Sequence, residues 1–456
     1  MKALVCLLAL AGCAAATAPP PPPSTLEVPA AWRTQVGPGA PPESLWWGAF
    51  GDPVLNRLVQ RALAHNGDVR VAASRLQEYR DRVTVAASGQ LPALNAVVTP
   101  ARARLIGPFG TPVEGTSLNA GLQASYELDL SGKLASTAAA ARADLQSQQA
   151  LAGATALSVA ASTASGYLNL RGLDAQLALA KATLASRERS LALAKRQFEV
   201  GYSSRLDWSQ AQAEYHVTAA VVPQLERAIA QQENALSVLV GASPGPIERG
   251  AALDALAAPA IAPDLPSELL RRRPDIAQAE RAVAAADAGL AAARAQLLPS
   301  IRLTASGGLE ASSIGDLLRS PNLLWSIGGS VLAPLFDGGR LRAQADIAAS
   351  QRDRAVIAYE TVVRNAFADT DNALAAVRRL DEQLAEASQR RVAAAEVLRV
   401  AHNRYANGYA SYLEELDAQR SAFGADLALL QLRASLLAAH VDLYRALGGV
   451  WTTTLQ

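Results

Sequence analysis

The feature that most constrains the fold is an internal repeat with a constant offset of 207 residues. Phe198–Leu206 reads FEVGYSSRL, and Tyr405–Leu413 reads YANGYASYL. The same offset relates Leu63 to Leu270, Asp68 to Asp275, Pro92 to Pro299, Gly132 to Gly339, Leu236 to Leu443, and Gly241 to Gly448. A register held without a net gap over this length indicates one structural unit written twice, at about 63–241 and 270–448. A linker containing several prolines, 242–268, joins the copies.

Each copy changes from a helical to a two-residue period and back. Residues 68–89 have a helical pattern, which Pro92 ends. From Leu118 to Leu130, Leu and Ala alternate with Asn, Gln and acidic residues, which predicts a strand of 13 residues. A strand of this length spans a bilayer when it is tilted. The other expected strands lie at about 93–106, from Ile301 onward and at about 324–336, with loops at 107–116 and 312–323.

Long helices follow Gly132 and Gly339. Apolar residues at heptad spacing, many of them Ala, form a stripe that only Arg187 and Arg391 interrupt. About 70 residues separate Gly132 from Gly201, which corresponds to roughly 100 Å of helix. Glycine supplies the left-handed position at which a helix ends. Returning helices of about 40 residues are expected to reach Gly241 and Gly448.

The strand count requires more than one chain. Four strands with one apolar face leave two unpaired edges, which hydrocarbon does not tolerate. A dimer would supply eight strands around a filled lumen, and a trimer would supply twelve strands around a channel. The residues alone leave this choice open.

The N-terminus resembles an export signal. Met1-Lys2 is followed by an apolar stretch and by Leu10-Ala11-Gly12-Cys13, which resembles the bacterial lipoprotein box. Residues 1–12 are therefore the expected signal peptide, and Cys13 is the expected site of lipidation. The alternative is an ordinary cleaved signal with an incidental Cys. Residues 13–40 are a proline-rich tether.

Five segments resemble one known family. They resemble TolC-like outer membrane efflux proteins, and within them the lipoprotein branch of OprM- and NodT-like channels, over nearly the whole mature chain. The segments are Tyr126–Lys133, Arg271–Ile276, Pro334–Arg340, Leu416–Arg420 and Leu443–Trp451.

This resemblance implies a mainly α fold with a transmembrane β-barrel. The implied assembly is a trimeric 12-stranded β-barrel continuous with a 12-helix periplasmic α-barrel, with two internal repeats per chain and a mixed equatorial domain. The transmembrane β-hairpins would be 91–131 and 299–338. The helical barrel would comprise 67–90, 132–241, 273–298 and 339–448, and the equatorial domain 41–66, 242–272 and 449–456.

The resemblance also implies a function. The chain would be the outer membrane channel of a tripartite efflux pump, passively exporting small molecules or drugs. The implied partners are two further copies of this chain, a periplasmic adaptor protein, an inner-membrane transporter of the RND type and the outer membrane lipid. A net charge of +1 excludes a generic nucleic-acid binder.

The implied functional residues fall into three groups. The adaptor-docking hairpin tips are Gly201, Tyr202, Ser203, Ser204 and Arg205, and Gly408, Tyr409, Ala410, Ser411 and Tyr412. The gate candidates are Asp207, Arg404, Glu414, Glu415 and Asp417. Gly132, Gly338 and Gly339 are expected at the strand–helix joints. The alternatives are simple helix turns and solvated charged faces.

No catalytic or metal site is expected. Cys6 and Cys13 are the only cysteines, and the four His residues are far apart in sequence. The covalent lipid on Cys13 is the only expected added group. Two other readings remain: a lipid-anchored periplasmic coiled-coil adaptor or scaffold, and a hydrolytic lipoprotein. The first does not explain the amphipathic strands, and the second lacks a nucleophile constellation.

Overall fold

The structure is a computed structural model. It describes residues 26–34, 45–257, 259, 261, 266–317 and 323–449. The predicted signal peptide and Cys13 lie outside the described residues, as does most of the tether. The chain divides into two compact units. The described parts of the first fall in Arg75–Gln149 and Gln278–Thr361, and those of the second in Leu26–Ser74, Ala150–Ala277 and Val362–Gln456.

Helices make up most of the described chain. In order they are α1 (Pro53–His65), α2 (Gly67–Ser88), α3 (Lys133–Glu199), α4 (Arg205–Leu239), α5 (Pro266–Arg272), α6 (Pro274–Ala295), α7 (Ile314–Leu317), α8 (Arg340–Ala406) and α9 (Tyr412–Ala446). A short 3-10 helix, Trp46–Phe50, precedes α1. The helix expected at 68–89 is confirmed by α2.

The principal helices occur in pairs of equal length. Both α3 and α8 have 67 residues, and both α4 and α9 have 35. The first residues of α2, α3 and α4 each lie 207 positions before those of α6, α8 and α9. The returning helices end at Leu239 and Ala446, a few residues short of the expected length.

Four antiparallel strands form one sheet in the first unit. They are β1 (Ala93–Ile106), β2 (Pro112–Leu128), β3 (Ser300–Ala311) and β4 (Leu323–Leu332). The sheet order is β1-β2-β3-β4, so that β1 and β4 are its edges. Register pairs such as Asn119 with Glu310 place polar residues opposite polar ones. The apolar side chains of the opposite face, including Val98 and Ile327, are exposed in the single chain.

The strand boundaries differ from those expected at both ends of β2 and at the end of β4, and β2 ends at Leu128 rather than at Leu130. β2 begins at Pro112 rather than at Leu118, because Pro112–Thr116 pairs with the last residues of β1. This segment lacks the apolar alternation that marks the rest of the strand. β4 ends at Leu332 rather than Phe336. Pro334 follows closely, and proline has no N–H with which to continue a ladder.

The core of the second unit contains large aromatic side chains. Trp46 stacks on Tyr444 with ring centroids 5.1 Å apart. Phe50 and Tyr167 have no exposed surface. Elsewhere small residues let the helices approach closely. A Cβ atom added to Gly172 on α3 would lie 2.7 Å from the Cβ of Ala434 on α9.

Candidate functional site

The first hairpin tip is closed by a glycine. α3 ends at Glu199, and Gly201 has a φ of +80°. The Tyr202 N–H donates to the Gln197 carbonyl at 2.8 Å, and the Gly201 N–H donates to the Phe198 carbonyl at 3.0 Å. These two bonds form a Schellman motif, which satisfies carbonyls at the helix end.

The next helix starts with a reciprocal cap. The Asp207 N–H donates to the Ser204 hydroxyl at 3.2 Å, and the Ser204 N–H donates to the Asp207 carboxylate at 3.2 Å. This capping box fixes the first turn of α4. Asp207, which was expected to be a gate residue, therefore bonds within its own helix terminus. Tyr202, Ser204 and Arg205 are exposed.

The second tip repeats the turn but not the cap. Gly408 has a φ of +77°, and the Tyr409 N–H donates to the Arg404 carbonyl at 2.8 Å. Ser411 is the N-cap residue of α9, and its side chain makes no capping hydrogen bond. Tyr409 is 79% exposed, whereas Tyr412 is 4% exposed. Of the predicted docking residues, Tyr412 is thus unavailable to a partner in this conformation.

Tyr412 joins the two hairpins. It forms a buried cluster with Ala194 on α3, Ala211 on α4 and Leu416 on α9. Tyr405 on α8 packs against this cluster, and its hydroxyl donates to the Gln197 side chain at 3.0 Å. Residues from all four helices therefore meet beside the tips. We call the set Ala194, Ala211, Tyr405, Tyr412 and Leu416 the tip cluster.

A charge network with two buried members lies farther along the same helices. Arg420 on α9 donates through Nε to Glu214 on α4 at 2.7 Å. Arg187 on α3 has an Nη2 atom 3.5 Å from the other Glu214 oxygen. The Arg187 and Glu214 side chains are only 4% and 6% exposed. The network thus links both hairpins through one carboxylate.

Burial shifts two pKa values in this region. It lowers the pKa of the Arg187 guanidinium, which nearby Glu214 only partly offsets. Arg187 Nε and Nη2 have no hydrogen-bond acceptor among the described residues. Burial also raises the pKa of Tyr412 to about 12. Sequence reasoning had treated Arg187 only as a break in the heptad stripe. The sequence signal for this charge network was the presence of a charged residue at a core position of the Ala-rich helix α3.

The other gate candidates occupy different environments. Arg404 and Glu414 form an exposed ion pair at 3.1 Å, which bridges α8 and α9 beside the second tip. Glu415 is buried, accepts a hydrogen bond from Gln419 at 2.9 Å and lies 2.9 Å from His402 Nδ1. Asp417 is exposed. The structure therefore brings Arg404 and Glu414 together, but not Asp207 or Asp417 with them.

The strand–helix joints share one arrangement. The Asp129 carboxylate accepts the N–H groups of Leu134 and Ala135 at 3.0 and 2.7 Å. Asp337 accepts that of Leu341 at 2.9 Å. Gly132, Gly338 and Gly339 have φ values of +73°, +67° and +86°. Sequence reasoning identified these glycines but missed the two capping carboxylates.

The described ranges hold no candidate metal cluster. No three His, Cys, Asp or Glu side chains are grouped there as metal ligands. The tip cluster and the charge network are packing and linking elements. Their apolar packing and ionic contacts hold the two helical hairpins together, and loss of these contacts would release them.

The chain is similar to known channels over most of its length. It matches the outer membrane efflux protein family twice, over 58–242 and 265–449. It is 36% identical to the probable efflux pump outer membrane protein TtgC of Pseudomonas putida, over 93% of this chain and 88% of that protein. It is 32% identical to the pyoverdine export outer membrane protein OpmQ of Pseudomonas aeruginosa, over 95% and 93%.

The fold agrees with these matches. The open state of the MtrE outer membrane channel of Neisseria gonorrhoeae superposes with a TM-score of 0.86 at 32% identity, covering 96% of this chain and 99% of that one. The names of TtgC and OpmQ describe outer membrane proteins of efflux or export, and MtrE is described as an outer membrane channel. The chain therefore belongs to the outer membrane efflux protein family.

Proposed function

We propose that this chain is the passive outer membrane exit channel of a tripartite pump, and that it works as a homotrimer. The observation that carries the proposal is the sheet β1-β2-β3-β4, which is amphipathic and has open edges at β1 and β4. Unpaired edges are not tolerated in hydrocarbon, so copies of the chain must pair β4 of one with β1 of the next. Three copies supply twelve strands, enough for a water-filled lumen.

The helices support the same assembly. α3 and α8, each of 67 residues, are roughly 100 Å long. Each chain also has two helices of 35 residues, so a trimer would contain six long and six shorter helices, twelve in all. The two family matches at a spacing of 207 residues support an internal duplication, which places two equivalent hairpins in each chain. In this proposal 41–66, 242–272 and 449–456 form the equatorial domain, and the helices lie in the periplasm.

The hairpin tips are the proposed docking surface for a periplasmic adaptor. The exposed tyrosines Tyr202 and Tyr409 support this role. The tip cluster and the Arg187–Glu214–Arg420 network would hold the tips closed until the adaptor engages. An inner-membrane transporter of the RND type would supply the energy, and lipidation at Cys13 would anchor the chain. The relatives' names, which mention pyoverdine and toluene, support small organic cargo.

Mass and location of the native particle test the proposal. Protein extracted in detergent from outer membranes should run at three times the mature mass and restore drug export to a host that lacks its own exit channel. Deleting 117–130 should abolish membrane insertion while lipidation at Cys13 continues. A monomer held by its lipid alone, or normal insertion of the deletion variant, would favour the adaptor or scaffold alternative.

A further inference from the structure

Two arginines lie on the apolar face of the sheet. In β1, Arg102 and Arg104 follow Leu94 and Val98 at even spacing, so all four side chains share one face. The register pairs Arg104 with Glu114 on β2. Both guanidinium groups are exposed, with 79% and 68% of the side chain accessible. A charge on a lipid-facing surface is costly at the middle of the bilayer and much less so near its edges.

The strand length places these arginines at the edge of the bilayer. On the same face of β2, apolar residues extend from Leu118 to Leu128, ten steps along the strand. Ten steps of about 3.4 Å, tilted by about 40°, span roughly 26 Å across the membrane, close to the apolar band of about 25 Å in such barrels. Thr116, Glu114 and the two arginines lie beyond this band, next to the turn at 107–111.

The turn end faces outward if the helices are periplasmic, so this step rests on the proposed function. β2 leads toward α3 at its other end. The two arginines then lie at the level of the outer-leaflet headgroups. Arg102 and Arg104 are two residues apart on one strand, or about 7 Å. That spacing lets both guanidinium groups contact one phosphorylated headgroup.

Glu114 leaves most of the N–H donors of Arg102 and Arg104 without an acceptor. Its carboxylate lies 3.5 Å from Arg102 Nη2 and 4.0 Å from Arg104 Nε, which are ion-pair rather than hydrogen-bond distances. No hydrogen bond joins either guanidinium to an acceptor in the part of the chain that the structure describes. One carboxylate against two guanidinium groups leaves a net charge of +1. Each guanidinium offers five N–H donors in a fork that matches a phosphate.

We propose that Arg102 and Arg104 bind the phosphate group of an outer-leaflet lipid, whose acyl chains cover the apolar band between Leu118 and Leu128. A lipid fits better than a soluble anion because the cationic pair continues directly into the apolar face. The phosphate of one lipid molecule then accepts hydrogen bonds from the guanidinium groups, and its acyl chains cover the apolar surface. In the trimer the site occurs three times.

The test uses the full-length, detergent-extracted protein and lipid A as the probe. Native mass spectrometry would count bound lipid A, the same lipid stripped of its phosphates, and inorganic phosphate. The variants are Arg102→Gln/Arg104→Gln and Glu114→Gln. The control is Arg75→Gln/Arg80→Gln, which removes two exposed arginines from α2.

The native protein should bind lipid A at least tenfold more tightly than the stripped lipid. The double arginine variant should lose this preference, and the control should keep it. Glu114→Gln should strengthen binding, since it removes the competing carboxylate, and a general loss of structure would not do so. Equal binding by the native protein and the double arginine variant would overturn the inference, as would displacement of the lipid by millimolar inorganic phosphate.

Outer membrane location and oligomer mass are recorded for the same samples. Trimers that bind both lipids equally would overturn this inference alone. Native protein that fails to assemble in the outer membrane would overturn the proposed function and the lipid site with it.

Discussion

The Tyr167 hydroxyl donates a 2.7 Å hydrogen bond to Asp52, which lies 115 residues earlier in the chain. Asp52 has no exposed surface. Its other oxygen accepts the Val54 N–H at 2.7 Å and caps α1, while Oδ2 also accepts the Ala251 N–H at 3.0 Å. One buried carboxylate thus connects α1, the long helix α3 and the linker between the two copies.

Replacing Asp52 with Asn should destabilise the protein by on the order of 3 kcal/mol. The amide keeps one acceptor oxygen, so donors on the other side lose their partner in a dry environment. Thermal unfolding at one fixed protein concentration would measure the change. Asp254→Asn, at an exposed position of the linker, is the matched control and should change stability by less than about 0.5 kcal/mol. Equal shifts for the two variants would contradict the role assigned to Asp52.

Stability should fall at alkaline pH, in part through Tyr412. Burial raises its pKa to about 12, while an unfolded Tyr ionises near 10. Above about pH 10 the unfolded chain therefore releases a proton that the folded chain retains, which favours unfolding as the pH rises. Tyr412→Phe should show a shallower decline between about pH 10 and about pH 12. Tyr202→Phe, at the exposed first tip, should follow the native curve. If the stability of Tyr412→Phe depended on pH in the same way as that of the native protein, ionisation of Tyr412 would not contribute to the alkaline loss of stability.

Arg420→Ala should loosen the link between the two hairpins. Glu214 would then keep only the longer contact to Arg187, 3.5 Å away, as its charged partner. If this link holds the tips closed, as proposed, current through purified channels in planar bilayers should rise by about tenfold. A tenfold change in the ratio of open to closed channels corresponds to about 1.4 kcal/mol. Arg399→Ala removes an exposed arginine whose pair, Glu396, lies on the same helix, and it should leave the current unchanged. Equal currents for Arg420→Ala and the native channel would exclude this network as a closing contact.

Two helical glycines should respond oppositely to alanine. At Gly172 the added methyl would lie 2.7 Å from the Ala434 Cβ, so helices α3 and α9 must separate locally, at a cost of about 1–3 kcal/mol. At Gly424 on α9 nothing lies within 4 Å of the added atom. That substitution should stabilise the protein by about 0.5–1 kcal/mol, because Ala is the better helix former. Thermal unfolding of the two variants compares them directly, and a shift of the same sign in both would contradict the close approach.

The parts of the fold that were predictable depend on short-range patterns. Alternation located the strand faces, and the glycines at 201 and 408 located both turns, because each signal lies within a few residues. The start of β2 at Pro112 was missed because its first residues pair without an apolar pattern. The cap that Asp207 forms was also predictable, because Ser204-x-x-Asp207 is a local capping signal.

Contacts between distant segments were not predictable in this way. Asp52 and Tyr167 are separated by 115 residues, and Glu214 and Arg420 by 206. No local pattern records which buried carboxylate meets which donor across helices. The offset of 207 residues does not help here, because Ser421 and Ala213 occupy the positions equivalent to Glu214 and Arg420. The sequence therefore offers no counterpart of the Glu214–Arg420 pair at the offset of 207 residues.

Charge at the hairpin tips should abolish export while leaving the channel assembled. Tyr202 and Tyr409 are 88% and 79% exposed, so replacing both with Asp removes no buried contact. A docking partner, by contrast, would have to bury two carboxylates. Adaptor co-purification should be lost and drug susceptibility should rise, with the outer membrane trimer at normal abundance. Val217→Asp places a charge at an exposed apolar position on α4, roughly 20 Å from the first tip. This variant should still co-purify with the adaptor and export drugs. If the doubly substituted protein still exports drugs and retains the adaptor, docking must occur elsewhere on the helices.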